Sequence, residues 1–142
     1  MRQLTAGISF IEGLCRSLTI VAATHKYALG LVANGTYPES DQRLRIMPGR
    51  SPDQLRRVLE ALAAVSYFVT SPIETLLRRE SMSLPWGATL IVITPLVTDK
   101  LLAELLRLQT AGRRLALVSL DENWTPPPLP DLIVYQANAR RM

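Results

Sequence analysis

The stretch LPWGATLIVITPLVTD, residues 84–99, decides the fold class, because it predicts a strand that runs directly into a helix. Its continuous apolar run from Ala88 to Thr94 is typical of a strand buried on both faces of a parallel sheet. Thr98 or Thr94 can cap the helix that follows, and Gly112 marks the end of that helix.

A second apolar strand is predicted from Arg114 to Leu120. Two strands joined by one helix in so short a segment form a right-handed crossover and lie parallel. After the stiff, extended segment Thr125 to Pro130, a last strand is predicted from Leu132 to Gln136. The sequence therefore predicts an α/β fold of three layers, with a mostly parallel sheet and helices on both faces.

The first half of the chain predicts one long helix and two strands. Apolar residues recur every three or four positions over residues 5–24, which indicates an amphipathic helix. The apolar segment Tyr27 to Ala33 is predicted as a buried strand that ends in a turn at Asn34 and Gly35. Residues 43–47, RLRIM, alternate in polarity as an exposed edge strand does.

Two helix starts share one pattern, a serine followed by proline and, three positions after the serine, an acid or amide. At the first start, Ser51 can accept hydrogen bonds from first-turn amides, and Gln54 is predicted to complete a capping box. Ser71 and Glu74 repeat the pattern and predict a second helix.

Length and composition predict a single domain over residues 1–142, with its own core. No apolar run approaches the roughly 18 residues of a membrane span, and the residues after Met1 do not form the apolar core of a signal peptide. The single Cys15 is expected to be a buried, inert thiol in a reducing compartment. We therefore expect a cytoplasmic protein that does not bind membranes.

The net charge of +4 raises the possibility of nucleic-acid binding. The arginines are scattered in pairs such as Arg113 and Arg114, however, and only 6% of the residues are aromatic. Binding sites for nucleic acid cluster their cations and stack bases on aromatic rings. The arginine pairs are therefore interpreted as solvated surface, and no nucleic-acid partner is expected.

The carboxyl ends of the predicted strands provide a weak candidate site. Asp121 and Glu122 follow the second strand, at the edge where open α/β sheets bind ligands, and Thr94 and Asp99 could line the same cleft. The single His25 falls at the end of a helix, and the chain contains neither a phosphate-binding glycine loop nor a nucleophile elbow. No catalytic residue and no cofactor is therefore predicted, although a small ligand-binding or enzyme domain at this edge remains the alternative hypothesis.

Four segments in combination resemble a known family: YALGLVANGTYP, PGRSPDQLRRVLEAL, LPWGATLIVITP and LLRLQTAGRRLALVSLDE. Together they are similar to the carboxyl-terminal half of the bacterial DUF fifty-eight family, whose domain resembles the von Willebrand factor A fold. The resemblance extends from about residue 5 to residue 136, and it implies a Rossmann-like sheet.

The resemblance also implies what a metal site of the A fold would need. Such a site takes an Asp-x-Ser-x-Ser loop, a Thr from a second loop and an Asp from a third. The first loop would precede residues 5–24, Thr70 or Ser71 matches the second, and Thr94 and Pro95 stand where the third-loop Asp is expected. One neutral oxygen cannot hold a hard divalent cation, so no metal site is predicted.

In the A fold, the strand that carries the first loop lies in the middle of the sheet, between the strands matched here by Tyr27–Ala33 and Ala88–Thr94. Without it, the two strands pair directly, another chain supplies a strand, or the protein dimerises through its exposed edges. A homodimer or an exchange of strands with another chain is therefore expected.

The function implied by the resemblance is that of a non-enzymatic protein–protein interaction module or scaffold. The partner it implies is a MoxR-type AAA+ ATPase, since members of the family are associated with these ATPases.

Overall fold

The computed structural model describes residues 15, 17–36, 43–64, 72–128 and 131–137. The described chain divides into two compact units, an amino-terminal unit that ends at Pro72 and a carboxyl-terminal unit that begins at Ile73. The elements in chain order are α1 (residues 17–24), β1 (Leu29–Thr36), β2 (Arg43–Gly49), α2 (Gln54–Ala64), α3 (Ile73–Ser81), β3 (Thr89–Thr94), α4 (Asp99–Thr110), β4 (Arg114–Ser119) and β5 (Ile133–Gln136). That residues 1–142 form a single domain stays a prediction.

In the amino-terminal unit, β1 and β2 form an antiparallel pair. The predicted turn at Asn34 and Gly35 is wrong, because both residues lie within β1. The register between the strands shifts between Val32 and Thr36, and such an irregularity accommodates residues that otherwise favour turns. The expected buried strand is half-buried from Leu29 to Ala33, as one strand of an antiparallel pair with one covered face commonly is.

The core of this unit lies between the strand pair and α2. Its buried side chains are Leu44, Ile46, Val58, Ala61 and Leu62. Cys15 packs against this cluster, as the predicted apolar face of the first helix requires, but it is half-buried, so the expectation of a fully buried thiol is wrong.

Gln54 fixes the start of α2 in a way that the sequence did not indicate. Its buried side-chain amide donates to the carbonyl oxygens of Leu29, at 2.6 Å, and Met47, at 2.9 Å. A capping box needs the side-chain oxygen of Gln54 to accept the Ser51 N–H, but the Gln54 side chain is directed to two strand carbonyls instead, so its predicted role in a capping box is wrong. Ser51 acts as predicted, since its hydroxyl accepts the N–H of Asp53 at 3.3 Å.

The carboxyl-terminal unit contains a three-stranded parallel sheet in the order β3-β4-β5. The predicted strand–helix–strand segment is therefore confirmed as parallel, and the fold is α/β and compatible with a Rossmann-like class. The finer resemblance to the von Willebrand factor A fold stays a prediction. None of the helices in the described residues is long and apolar enough to cross a membrane.

One face of this sheet packs against α4. The strands contribute Leu90, Val92, Leu115, Leu117 and Val134, and α4 contributes Leu101, Leu105 and Leu108. The helix positions recur at spacings of three and four, which places them on one side of α4. This face of the sheet is therefore the main core of the unit.

Both ends of α4 agree with the sequence. The Thr98 hydroxyl accepts the N–H of Leu101 at 3.1 Å, so Thr98, and not Thr94, is the cap. At the other end Gly112 has a φ of 96°, and the N–H of Arg113 donates to the carbonyl of Leu108 at 3.0 Å. A left-handed glycine with this bond forms a Schellman motif, which ends the helix.

A buried carboxylate joins α3 to α4. Glu104, whose side chain is 2% exposed, accepts hydrogen bonds from Arg107 at 3.0 Å and from Arg78 at 3.3 Å. The hydrogen bond from Arg107 is the largest cause that holds the pKa of the Glu104 carboxyl below its ordinary value; burial opposes this lowering, and Arg78 adds to it.

Candidate interaction site

At the carboxyl edge of the parallel sheet, Thr94 and Asp121 hold the chain in place. The buried Thr94 hydroxyl donates to the carbonyl of Leu96 at 2.9 Å. Asp121 Oδ2 accepts the N–H of Val97 at 3.1 Å, and Oδ1 accepts the N–H of Asn123 at 3.0 Å. These bonds fix the loop between β3 and α4 against the end of β4.

The remaining predicted site residues are placed as follows. Asp99 is exposed in the first turn of α4, and Glu122 is exposed directly after Asp121. Thr70 and Ser71 lie outside the described residues. Within the part of the chain that the structure describes, no three His, Cys, Asp or Glu side chains lie close enough together to hold a metal ion.

Arg113 contradicts the prediction that the arginine pairs are solvated. Its side chain is 5% exposed, and its guanidinium donates to the carbonyl oxygens of Ser81 (2.5 Å), Leu84 (2.9 Å) and Pro85 (2.6 Å). The guanidinium also lies 4.2 Å from the ring centroid of Trp86, a favourable cation–π distance. Arg113 therefore fixes the segment after α3 and is not a surface cation.

The other face of the parallel sheet carries a different surface. Two rows of residues in register project from it, and we call them the open face: Ile91, Ala116 and Ile133 in the first row, and Ile93, Val118 and Tyr135 in the second. Residues that pair in register on parallel strands point to the same side of the sheet. All six side chains are apolar or aromatic.

The open face is exposed along both outer strands. Ile91 on β3 is 50% exposed, and Ile133 and Tyr135 on β5 are 53% and 61% exposed. Val118, on the central strand, is buried, while Ile93 and Ala116 are intermediate. The prediction that the strand over Ala88–Thr94 is buried on both faces is therefore wrong for Ile91.

The two ends of this sheet differ in charge. Arg113 and Arg114 precede β4 at the amino edge, where Arg114 and Asp131 line a shallow hollow of about 370 Å³. Asp121 and Glu122 follow β4 at the carboxyl edge. Because Arg113 is buried, the exposed charges of Arg114 and Asp131 offset each other at the amino edge, whereas the carboxyl edge carries the two acids.

Comparisons with protein-family models, curated proteins and solved structures find no match to this chain. The similarity to the DUF fifty-eight family stays a resemblance of sequence segments.

The exposure of the open face could not be predicted from the sequence, because both faces of these strands are apolar. A strand with water on one face normally alternates between apolar and polar residues, and LIVI in β3 and LALV in β4 do not. Tyr135 is the one residue of the second row whose type suggests solvent exposure. A tyrosine combines an apolar ring with a polar hydroxyl, which suits a position that is partly in contact with water.

Proposed function

We propose that this chain is a non-enzymatic protein–protein interaction module and that its binding surface is the open face. The observation that carries the proposal is the exposure of Ile91, Ile133 and Tyr135 in register on a parallel sheet. Parallel sheets are covered on both faces in almost all α/β proteins, so an exposed apolar face indicates a surface that a partner covers.

The chemistry of the open face suits a binding surface. Isoleucine side chains contribute about 1.5–3 kcal/mol each when they pass from full exposure to full burial, and half-exposed ones contribute proportionally less. Tyr135 adds a large, rigid ring of a type that is enriched at protein interfaces. Three such side chains in one plane supply a compact apolar centre, as interfaces have.

The hydrogen bonds at the carboxyl edge favour binding over catalysis. Both carboxylate oxygens of Asp121 accept backbone N–H groups, and the Thr94 hydroxyl is taken by the turn that follows it. The Asp121 carboxylate and the Thr94 hydroxyl therefore stabilise the backbone of the adjoining loops. A ligand at this edge would have to displace these hydrogen bonds or share the same oxygen atoms. The alternative hypothesis of an enzyme at Thr94, Asp99, Asp121 and Glu122 therefore has less support.

The partner that the resemblance implies is a MoxR-type AAA+ ATPase, and the proposal includes the cytoplasmic location expected from the sequence. In this proposal, the chain presents a fixed apolar surface to the ATPase or to one of its client proteins and performs no chemistry itself.

Site-specific photocrosslinking tests the proposal. A photoreactive phenylalanine analogue replaces Tyr135 in the full chain, and a second variant carries it at Met82, which is 84% exposed and lies outside the open face. We expect a protein adduct at position 135 in host cells that does not form at position 82. The proposal is wrong if both positions give the same adducts, or if position 135 gives none.

A further inference from the structure

We infer that the segment between β4 and β5 binds a protein domain with an aromatic groove, of the kind that recognises polyproline II helices. The segment is TPPP, residues 125–128, and we call it the proline segment. None of its residues belongs to the open face, so this inference does not depend on the proposed function.

The backbone conformation of the proline segment follows from its own sequence. Each proline ring holds φ at about −65°, and a residue that precedes a proline is restricted to an extended ψ angle. Both rules apply to Pro126 and Pro127, and the second applies to Thr125. These angles are those of a polyproline II helix, and residues 125–128 form neither an α-helix nor a strand. The segment is therefore a short, stiff polyproline II helix.

The proline segment is accessible to a partner along its whole length. All four of its residues are exposed, and none of them forms a hydrogen bond within the described part of the chain. A polyproline II helix makes no internal hydrogen bonds, so its carbonyl oxygens stay available as acceptors. The segment therefore presents proline rings and carbonyl acceptors together on one exposed surface.

The chain is anchored on both sides of the proline segment. Before it, Trp124 packs against the core of the carboxyl-terminal unit, and the Trp124 carbonyl accepts the side-chain amide of Gln136 at 2.6 Å. After it, Leu132 is buried in the same core. A binding segment that is already ordered loses less conformational entropy when it binds. The anchors and the proline rings therefore prepare this segment for recognition.

The chemistry of the proline segment specifies the kind of partner. Grooves lined by tyrosine and tryptophan bind polyproline II helices, because flat rings pack on proline and indole or phenol hydrogens donate to exposed carbonyl oxygens. SH3, WW and EVH1 domains carry such grooves. In the sequence, Pro127 and Pro130 also have the P-x-x-P spacing that these domains recognise. The partner is therefore a domain with an aromatic groove and not a second copy of the open face.

Titration with isolated proline-binding domains tests the inference on the full chain. The probes are one SH3, one WW and one EVH1 domain, each isotope-labelled, and the NMR signals of the domain report where the chain binds. The test variant combines Pro127→Ala with Pro128→Ala, which restores two amide hydrogens and removes two rings. The matched control is Pro95→Ala, which replaces an exposed proline in the loop between β3 and α4.

We expect at least one of the three domains to bind the wild-type chain, with shifted signals confined to its aromatic groove. The double variant should bind that domain about tenfold more weakly, or less tightly still, because the groove loses the rings that it packs on. Pro95→Ala should bind as the wild type does. The circular dichroism spectra of both variants should match that of the wild type, since the replaced prolines are exposed.

Three results would overturn the inference. Absence of binding by all three domains would show that the proline segment is only a spacer. Equal binding of the wild type and the double variant would show that the contact does not depend on the prolines. A loss of binding with Ile133→Lys, at an unchanged circular dichroism spectrum, would place the contact on the open face instead. If the domains fail to bind while the crosslink at position 135 still forms, the proposed function stands without this second site.

Discussion

The carboxylate of Asp121 accepts the N–H of Val97 at 3.1 Å and so joins the end of β4 to the loop between β3 and α4. Val97 is a buried residue of the main core. A backbone N–H that is withdrawn from water needs a partner, and here a side chain from the next strand provides it. The residue that the sequence suggested as a ligand-binding acid thus has a structural role.

Replacement of Asp121 by alanine should lower the free energy of unfolding by about 1–3 kcal/mol, because two backbone N–H groups lose their acceptor. Asp121→Asn keeps one accepting oxygen and should lose less. Urea unfolding measures the free energy of unfolding of both variants. Asp99→Ala, which removes an exposed carboxylate, is the control, and a loss as large as that of Asp121→Ala would contradict the structural role.

Glu104→Gln should destabilise the chain at pH 7 by about 1–3 kcal/mol, because Arg78 and Arg107 lose their shared charged acceptor. The pKa of Glu104 is lowered in the folded chain, so its contribution is complete above the ordinary carboxyl value and is lost as the pH falls through the folded value. The difference between the wild type and the variant should therefore shrink in urea unfolding curves recorded at decreasing pH.

The control for this pH dependence is Glu60→Gln. Glu60 pairs with Arg56 at 3.9 Å, and both side chains are largely exposed, so the substitution should change stability by less than about 1 kcal/mol. An unchanged difference between wild type and Glu104→Gln down to the most acidic pH would contradict the assigned role of Glu104.

Gly30→Ala should destabilise the amino-terminal unit by about 1–3 kcal/mol, the usual cost of overpacking. A Cβ atom at position 30 would lie 2.8 Å from the Ile46 carbonyl oxygen and 2.9 Å from the Pro48 nitrogen, and both are backbone atoms of β2. At Gly87 nothing lies within 4 Å of an added Cβ, so Gly87→Ala is the matched control. The thermal unfolding midpoints of the two variants should differ clearly. Equal midpoints would show that β1 and β2 can move apart to admit the methyl group without loss of stability.

Arg113→Lys should lower stability by about 1.5–3 kcal/mol, because an ammonium group cannot reproduce the planar fork that reaches three carbonyl oxygens. The tryptophan fluorescence should also change, since Arg113 stacks on Trp86. Arg114→Lys substitutes an exposed arginine next to it and should leave both properties as they are. If the Arg113→Lys variant matched the wild type in urea unfolding, the guanidinium contacts would not stabilise the fold.

The parallel strands and α4 could be predicted because their signals are local. Apolar runs, the cap at Thr98 and the glycine at 112 act within a few residues, and the structure keeps all three. The strand pair β1 and β2 was harder. The Asn34-Gly35 signal favours a turn, but pairing of Thr36 with Arg43 extends the strand past it.

The roles of individual polar residues could not be predicted, since their partners are distant in the sequence. Arg113 binds carbonyls about thirty positions away, and Gln54 binds a carbonyl of residue 29. Nothing in the adjacent residues marks either contact. The open face was equally hidden, because an apolar run shows that strands prefer burial and does not show how many layers the chain supplies to cover them.

The turn between α4 and β4 satisfies two requirements with consecutive residues. Gly112 ends the helix with a left-handed backbone, and Arg113 then directs its guanidinium to the carbonyls after α3. An inserted residue would move the guanidinium and exchange the two faces of β4. Insertions and deletions in homologous chains are therefore expected in the longer segment between β4 and β5, while the length of this turn stays constant.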